Sequence, residues 1–383
     1  MDFDFTADQQ AIKETAQRFA RARVAPGYKL REESGILDRA LMREMGALGL
    51  IGADLPEEYG GLDLDSVTVG LITEQIAYAD FNVASGPLLG ALVGQPLAKF
   101  GNAEVAGDWI PRMCRGEVMF AIALTEPRGG SDAGGMQLKI RRDGEHYVVS
   151  GEKTSISFAD QADAVLLLGR TSDEGARGVT ALFVPLDLPG IERTRFDDMG
   201  QICAGRGSLF FDETPVAVSN RVGEEGLGFS QVMQGLDYSR ALIGLQCLAA
   251  AQASVDETWN YVCEREAFGR PIVKFEGVSA PLAEADTLLG AARLLCYKTL
   301  WLRDRARPHT AEAAMCKWWC PKTSFEIIHK CLLLHGHYGY SRDFPHQQRL
   351  RDVLGYQIGD GTEQIQKLVV AREKVGKIAI PYV

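Results

Sequence analysis

The apolar pattern of this chain changes period twice, at about Met119 and again at about Gly226. Between those points short runs of β-forming residues recur: Phe120-Ala-Ile-Ala-Leu124, Leu138-Lys-Ile-Arg141, His146-Tyr-Val-Val149, Ala164-Val-Leu-Leu167, Val179 to Val184 and Ser208-Leu-Phe-Phe211. Asp143-Gly144, Ser150-Gly151 and Asp187-Leu-Pro-Gly190 separate them as turns, and the spacing predicts an antiparallel barrel or sandwich. From Gly226 the helical period returns, with Val278, Leu282, Ala285, Leu289 and Ala292 at steps of three and four. Helices are expected over 227–254, 255–265, 276–303, 310–335 and 362–375. The fold class is therefore α+β. A helical domain spans 1–118, an antiparallel β domain 119–225, and a C-terminal four-helix-bundle domain 226–383.

The first third is helical in texture. Thr6-Ala-Asp-Gln9 has the spacing of a capping box, Ile12 and Phe19 share a face, and Pro26 is expected to end that helix. Leu41, Met42, Met45 and Leu48 mark a second amphipathic helix, and a glycine turn follows at Glu57-Glu-Tyr-Gly-Gly-Leu62. Further helices are expected from Ser66 to Tyr78, Leu88 to Phe100 and Ala103 to Met113.

Of 383 residues, 46% are apolar and 24% charged, as in ordinary globular proteins. A net charge of −10 argues against binding nucleic acid or an anionic membrane. No apolar run is long enough to span a bilayer, and Met-Asp-Phe-Asp-Phe has neither the basic nor the apolar region of a signal peptide. The eight cysteines are scattered through apolar stretches, which points to core packing in a reducing cytoplasm.

Four stretches could carry chemistry. Tyr356-Gln-Ile-Gly-Asp-Gly-Thr-Glu-Gln-Ile365 presents Asp360 between two glycines, where a bare backbone can bring a base close to a ligand; an ordinary surface turn fits those ten residues too. Ala123 to Gly135 carries four glycines and two hydroxyl residues, suited to a planar or anionic ligand or simply to a flexible loop. Arg265-Glu-Ala-Phe-Gly-Arg-Pro271 is a cationic break that could clamp a phosphate or face solvent. Cys316, Cys320, His329, His335 and His337 lack the tight paired spacing of a zinc site, so no metal is expected. No Gly-x-Gly-x-x-Gly follows a strand, so a Rossmann fold is not indicated.

Taken in order, several motifs resemble those of the acyl-CoA dehydrogenase family. They are Leu124-Thr-Glu-Pro-x-x-Gly-Ser-Asp-Ala-Gly134, Gly151-Glu-Lys153, Leu236-Asp-Tyr-Ser-Arg240, Arg265-x-x-Phe-Gly-x-Pro271, Gly336-x-x-Gly-Tyr340, Arg351-Asp352 and Gly361-Thr362-x-Gln364. The match covers nearly the whole chain. The resemblance implies FAD as cofactor, an acyl-CoA thioester as substrate, and an α,β-dehydrogenation in which a carboxylate takes the α proton and the β hydride passes to flavin N5. It places the base on Asp360, where most members have glutamate. Some relatives instead carry a glutamate just before the arginine of the Leu-Asp-x-x-Arg motif, and here that position is Ser239.

By the same resemblance, FAD contacts fall on Ile122, Leu124, Thr125, Ser131, Ile156, Ser157, Thr362 and Gln364, and on Arg265 and Phe268 toward a neighbouring subunit's FAD. Substrate contacts fall on Ser131, Asp237, Arg240 and Gly361. The resemblance implies a homo-oligomer, usually a tetramer, and an electron-transfer flavoprotein as acceptor. Aspartate at the base position is similar to the cyclohexanecarboxyl-CoA dehydrogenases of alicyclic-acid degradation. Alternatives are a short- or medium-chain acyl-CoA dehydrogenase, a desulfinase-like lyase, an acyl-CoA oxidase and a flavin monooxygenase on the same scaffold. Ser155, Leu333, His337 and Glu276 depart from the family pattern on the FAD side.

Overall fold

The computed structural model describes residues 4–380. Helices α1 (Ala7–Phe19), α2 (Tyr28–Ser34), α3 (Arg39–Ala47), α4 (Ser66–Ala79), α5 (Ser85–Leu89), α6 (Gln95–Phe100) and α7 (Ala103–Cys114) come first. Strands β1 (Phe120–Ala123), β2 (Lys139–Asp143), β3 (His146–Ser157), β4 (Ala164–Arg170), β5 (Val179–Pro185), β6 (Ile191–Arg193), β7 (Arg206–Ala217) and β8 (Arg221–Val222) follow. Helix α8 (Gly228–Glu264) leads into a small hairpin, β9 (Glu266–Ala267) and β10 (Arg270–Pro271). Helices α9 (Glu276–Asp304), α10 (Thr310–Leu334), α11 (His346–Gly355) and α12 (Glu363–Val375) complete the chain.

Two compact bodies form. The first takes the chain up to Lys29, Ser66–Ala84 and everything from Arg240; the second takes Leu30–Asp65 and Ser85–Ser239.

In the first body, the Thr6 hydroxyl accepts from the Gln9 N–H at 3.2 Å and the Gln9 side chain accepts from the Thr6 N–H at 3.1 Å, closing the expected capping box. Pro26 bends the chain rather than ending it. A π turn at Ala20–Val24 and a 3-10 turn at Ala25–Gly27 absorb the proline, and α2 continues. Helix α10 packs against α9, α11 and α12, while α4 packs against α1 and α9. Gly244 on α8 lets three helices approach closely. A Cβ there would meet the Sγ of Cys296 on α9 at 2.7 Å and that of Cys320 on α10 at 3.3 Å. Cys247, Cys296, Cys316 and Cys320 are all buried here, with 3.6 Å between the Cys296 and Cys320 sulfurs. All eight cysteines are free thiols, and Cys263 alone is exposed. Two expectations change. The helices over 227–254 and 255–265 are one helix, α8, because no glycine or proline lies between Gly244 and Arg265 to break it near residue 254. Helix α11 was not expected, its polar face being too rich in Gln and Arg to show a clear period.

In the second body the strands form one sheet in the order β6-β7-β3-β2-β4-β5-β8, with β1 added on β4. Most pairings are antiparallel, but β1–β4 and the Lys139–Arg170 contact of β2 with β4 are parallel. Strands β4 and β5 are buried almost throughout, and Trp109, Phe120 and Phe183 cluster with centroids 5.1–6.2 Å apart, Phe183 meeting the other two edge to face. Ser150-Gly151 is not a turn. Strand β3 runs through it to Ser157, and Gly151 sits at a register shift with φ +139°. Glycine absorbs the bulge where any side chain would be strained.

Candidate functional site

The sequence-indicated residues fall into three places. The first is the far end of β1 and β3 in the second body. On β1, Ala121 and Ala123 are buried while Ile122 and Leu124 are half-buried, so the alternation presents two branched apolar side chains outward. Strand β3 bulges beside them: the pairing with β7 shifts between Lys153 and Ile156, and Ser155 takes a left-handed φ of 59°. The Thr154 N–H donates to the Thr125 carbonyl at 2.9 Å, which ties the loop to the bulge. This sets the backbone of Thr125 beside the bulge that leads to Ile156, which is buried, and Ser157, which is exposed. Ser131 lies further along the same loop and is exposed.

A buried ion pair holds that loop. The Lys153 ammonium donates to the Leu124 carbonyl at 3.0 Å and to Glu126 Oε1 at 2.8 Å. Glu126 in turn accepts from the Gln137 and Leu138 N–H groups at 2.6 and 2.8 Å. Burial disfavours the ionised carboxylate, but Lys153 and the two N–H donors outweigh it and hold Glu126 below its ordinary range. Burial pushes Lys153 down to about 8 despite Glu126. An open apolar strand face beside backbone polar groups left out of ladder register suits the edge of a planar ring system such as the flavin of FAD.

The second place is the turn between α11 and α12 in the first body. Asp360 has φ 54° and Gly361 φ 94°, so the turn stands on two consecutive left-handed residues. At that φ any side chain on residue 361 would be strained, and a Cβ would also lie 2.3 Å from Gln366 Nε2, so glycine suits the position. Thr362 caps α12, its hydroxyl accepting from the Ile365 N–H at 3.4 Å, and Gln364 is exposed in the first turn. Asp360 keeps part of its surface open, yet protein atoms crowd its carboxylate. Burial raises its pKa above the usual carboxylate range, and the positive charges of Lys317 and Arg240 only partly offset this. Arg240, on α8, is buried and faces the same carboxylate. Asp237, half-buried three residues earlier on α8, falls in the second body.

Lys317 and Gln366 were not foreseen. Lys317 on α10 is buried, and its ammonium donates to the Tyr356 carbonyl at 2.5 Å and the Gly361 carbonyl at 3.3 Å. Gln366, also buried, donates to the Asp360 carbonyl at 3.1 Å. A signal for Lys317 was present: Ala313, Cys320 and Ser324 lie four before, three after and seven after it, which puts a charged residue on the core face.

The third place is the β9–β10 hairpin. Phe268 (φ 54°) and Gly269 (φ 74°) form its two-residue tip, the geometry of a type I′ turn. Phe268 is 94% exposed, and Arg265 is exposed at its base.

The chain matches the acyl-CoA dehydrogenase N-terminal domain over residues 6–117, the middle domain over 121–214 and the C-terminal domain over 226–375. It is 35% identical to a benzylmalonyl-CoA dehydrogenase from Aromatoleum aromaticum, over 97% of this chain and 99% of that one. It superposes on butyryl-CoA dehydrogenase from Megasphaera elsdenii with a TM-score of 0.94 at 30% identity, covering 98% of this chain and 100% of that one. A glutaryl-CoA dehydrogenase from Mycobacterium smegmatis, solved in complex with FADH2, aligns with a TM-score of 0.92 at 25% identity, covering 98% and 96%. The chain belongs to the acyl-CoA dehydrogenase family. It is an FAD-dependent oxidoreductase that dehydrogenates an acyl-CoA. Among the described residues no helix is long and apolar enough to cross a membrane.

Proposed function

We propose that Asp360 is the base that removes the α proton of an alicyclic or α-branched acyl-CoA, with cyclohexanecarboxyl-CoA as the representative substrate. One observation supports this reading: Asp360, on which the family resemblance puts the base, sits on a left-handed, two-residue turn with its carboxyl raised by burial. A carboxyl above its usual range is a stronger base toward a weakly acidic C–H. The other family position holds Ser239, whose hydroxyl is occupied with the Leu236 carbonyl at 3.1 Å. Aspartate reaches about 1.5 Å less far than glutamate, one C–C bond. A ring or branched α carbon, held by its own bulk against the turn, suits that shorter reach. The benzylmalonyl-CoA dehydrogenase relative is likewise named for a ring-bearing acyl group.

FAD, when bound, supplies the acceptor for the β hydride. Ile122, Leu124, Thr125, Ile156 and Ser157 would hold its ring, Ser131 would serve both cofactor and CoA, and Thr362 and Gln364 would add contacts. Asp237, Arg240 and Gly361 serve the substrate. Arg265 and the solvent-borne Phe268 complete the FAD site of a neighbouring copy, which makes the enzyme a homo-oligomer, a tetramer by family habit. An electron-transfer flavoprotein takes the electrons onward.

The test is anaerobic flavin bleaching by acyl-CoA thioesters in a single turnover. Cyclohexanecarboxyl-CoA should bleach faster than octanoyl-CoA; the reverse ranking would reject the alicyclic reading. Asp360→Asn keeps the shape and removes the basic oxygen, and bleaching should slow by at least about a hundredfold. Bleaching within a few-fold of wild type would place the base elsewhere.

A further inference from the structure

Beneath the turn that carries Asp360 lies a cation that the sequence motifs do not single out. Lys317 is 1% exposed, on the core face of α10. Its ammonium bridges the first and last parts of the turn, through the carbonyls of Tyr356 and Gly361. Gln366 secures the carbonyl of Asp360 itself from α12. Asp360 is therefore held by two neighbouring elements while its backbone stays in a conformation that a non-glycine residue rarely adopts.

We propose that Lys317 is a positioning residue for Asp360: it fixes the turn through the Tyr356 and Gly361 carbonyls and supplies the positive charge against which the carboxylate is held. The inference rests on the assignment of Asp360 as base. A lysine is suited to the task because its compact ammonium can donate in several directions at once. Two of its donors go to carbonyls along the turn, and its charge acts on Asp360.

The groups around this pair come from three helices. Asp360 faces Lys317 on α10, Arg240 on α8 and Tyr356 at the end of α11; Lys317 also faces Cys247 on α8 and Cys320 on its own helix. Cys247 and Tyr356 are both pushed upward by burial and stay neutral near pH 7. Burial lowers Lys317 to about 8, with Asp360 as its largest counterweight, so the lysine is mostly charged at neutral pH. Removing that charge leaves burial and Arg240 to set the base, and its pKa must rise.

The test follows the acid limb of the pH profile of flavin bleaching at saturating substrate, in the FAD-loaded full-length enzyme. Lys317→Gln can still donate one N–H to the turn but carries no charge. Its acid limb should move upward by about one pH unit or more, the effect of losing a close opposite charge. Gln366→Leu loosens the turn without altering charge, so its rate should fall at every pH with the limb in place. If Lys317→Gln loads FAD normally and its limb coincides with wild type, the proposal is wrong. Should Lys317→Gln fail to load FAD, Lys317→Arg carries the test. The charge remains, so the limb should stay put while the plateau falls; a limb displaced upward by a unit or more would overturn the proposal. If Asp360→Asn bleaches as fast as wild type, the base assignment falls instead, whatever Lys317 does.

Discussion

Replacing Lys153 by methionine isolates the buried pair that holds the β1–β3 loop. Methionine keeps most of the length and apolar bulk of the lysine stem and removes the ammonium. In the native protein the Lys153 side chain is fully buried, Glu126 is 8% exposed, and their charges lie 2.8 Å apart. With an effective dielectric near 20, two unit charges at that separation attract by about 6 kcal/mol. Most of that offsets the desolvation of both ions, but a single substitution removes the attraction and leaves the Glu126 carboxylate buried. Breaking one side of such a pair costs about 3–5 kcal/mol. The Leu124 carbonyl loses its donor in the same change. For a body of 150–250 residues each kcal/mol moves the melting temperature by about 2–4 °C, so the midpoint should fall by roughly 6–20 °C. Glu126→Gln should cost less, because Lys153 already sits near 8 and can shed its proton. The assay is calorimetry on the FAD-loaded protein at pH 7, with released flavin measured alongside. A Lys153→Met protein that melts within about 2 °C of wild type and keeps its flavin would refute the reasoning, since a fully buried pair cannot be removed one-sidedly for so little.

His346 should make the protein acid-sensitive. It is fully buried, and burial, then the neighbouring His335 and Arg349, lower it to about 3, so between pH 6.5 and 3 the unfolded chain binds a proton that the native one refuses. Stability is full above pH 6.5 and falls below it, by at most about 1.4 kcal/mol per pH unit; urea titrations at pH 7 and 5 should show a shallower loss in His346→Gln, and parallel slopes would contradict this. Arg265→Ala should weaken flavin retention and subunit association together, by about 1.5–3 kcal/mol for a lost charge-assisted contact. Ultracentrifugation with flavin fluorescence reads both, and an unchanged assembly with full flavin would count against the neighbour-subunit role.

The helix–sheet–helix division was legible because periods of 3.6 and 2 leave different marks on sequence. Helices α9, α10 and α12 were foreseen to within a residue or two, since long apolar stripes and clear breakers frame them. The continuity of β3 through Ser150-Gly151 was not, because a glycine at a bulge and a glycine in a turn look alike in one dimension. The parallel pairing of β1 with β4 was hidden for a related reason: partner choice depends on contacts more than forty residues apart. At the site, the flanking glycines of Asp360 fit a surface turn as well as a ligand site, so only the family resemblance singled the residue out, and Lys317 could not be tied to it. The lysine acts through the backbone carbonyls of another segment, and carbonyls carry no residue identity.

The cysteines of the helical body have a use as reporters. Seven of the eight thiols are buried and none is bonded to another, while Cys263 stands in solvent. A thiol-reactive dye added to the native enzyme therefore meets one fast site and then must wait. Each later label records a moment when the interior came open, and Cys247, Cys296, Cys316 and Cys320 sit where α8, α9 and α10 press together. Their slow modification times the breathing of the same helices that carry Arg240 and Lys317, the two cations acting on Asp360, so the protein carries its own clock for the rigidity of the ground beneath that turn.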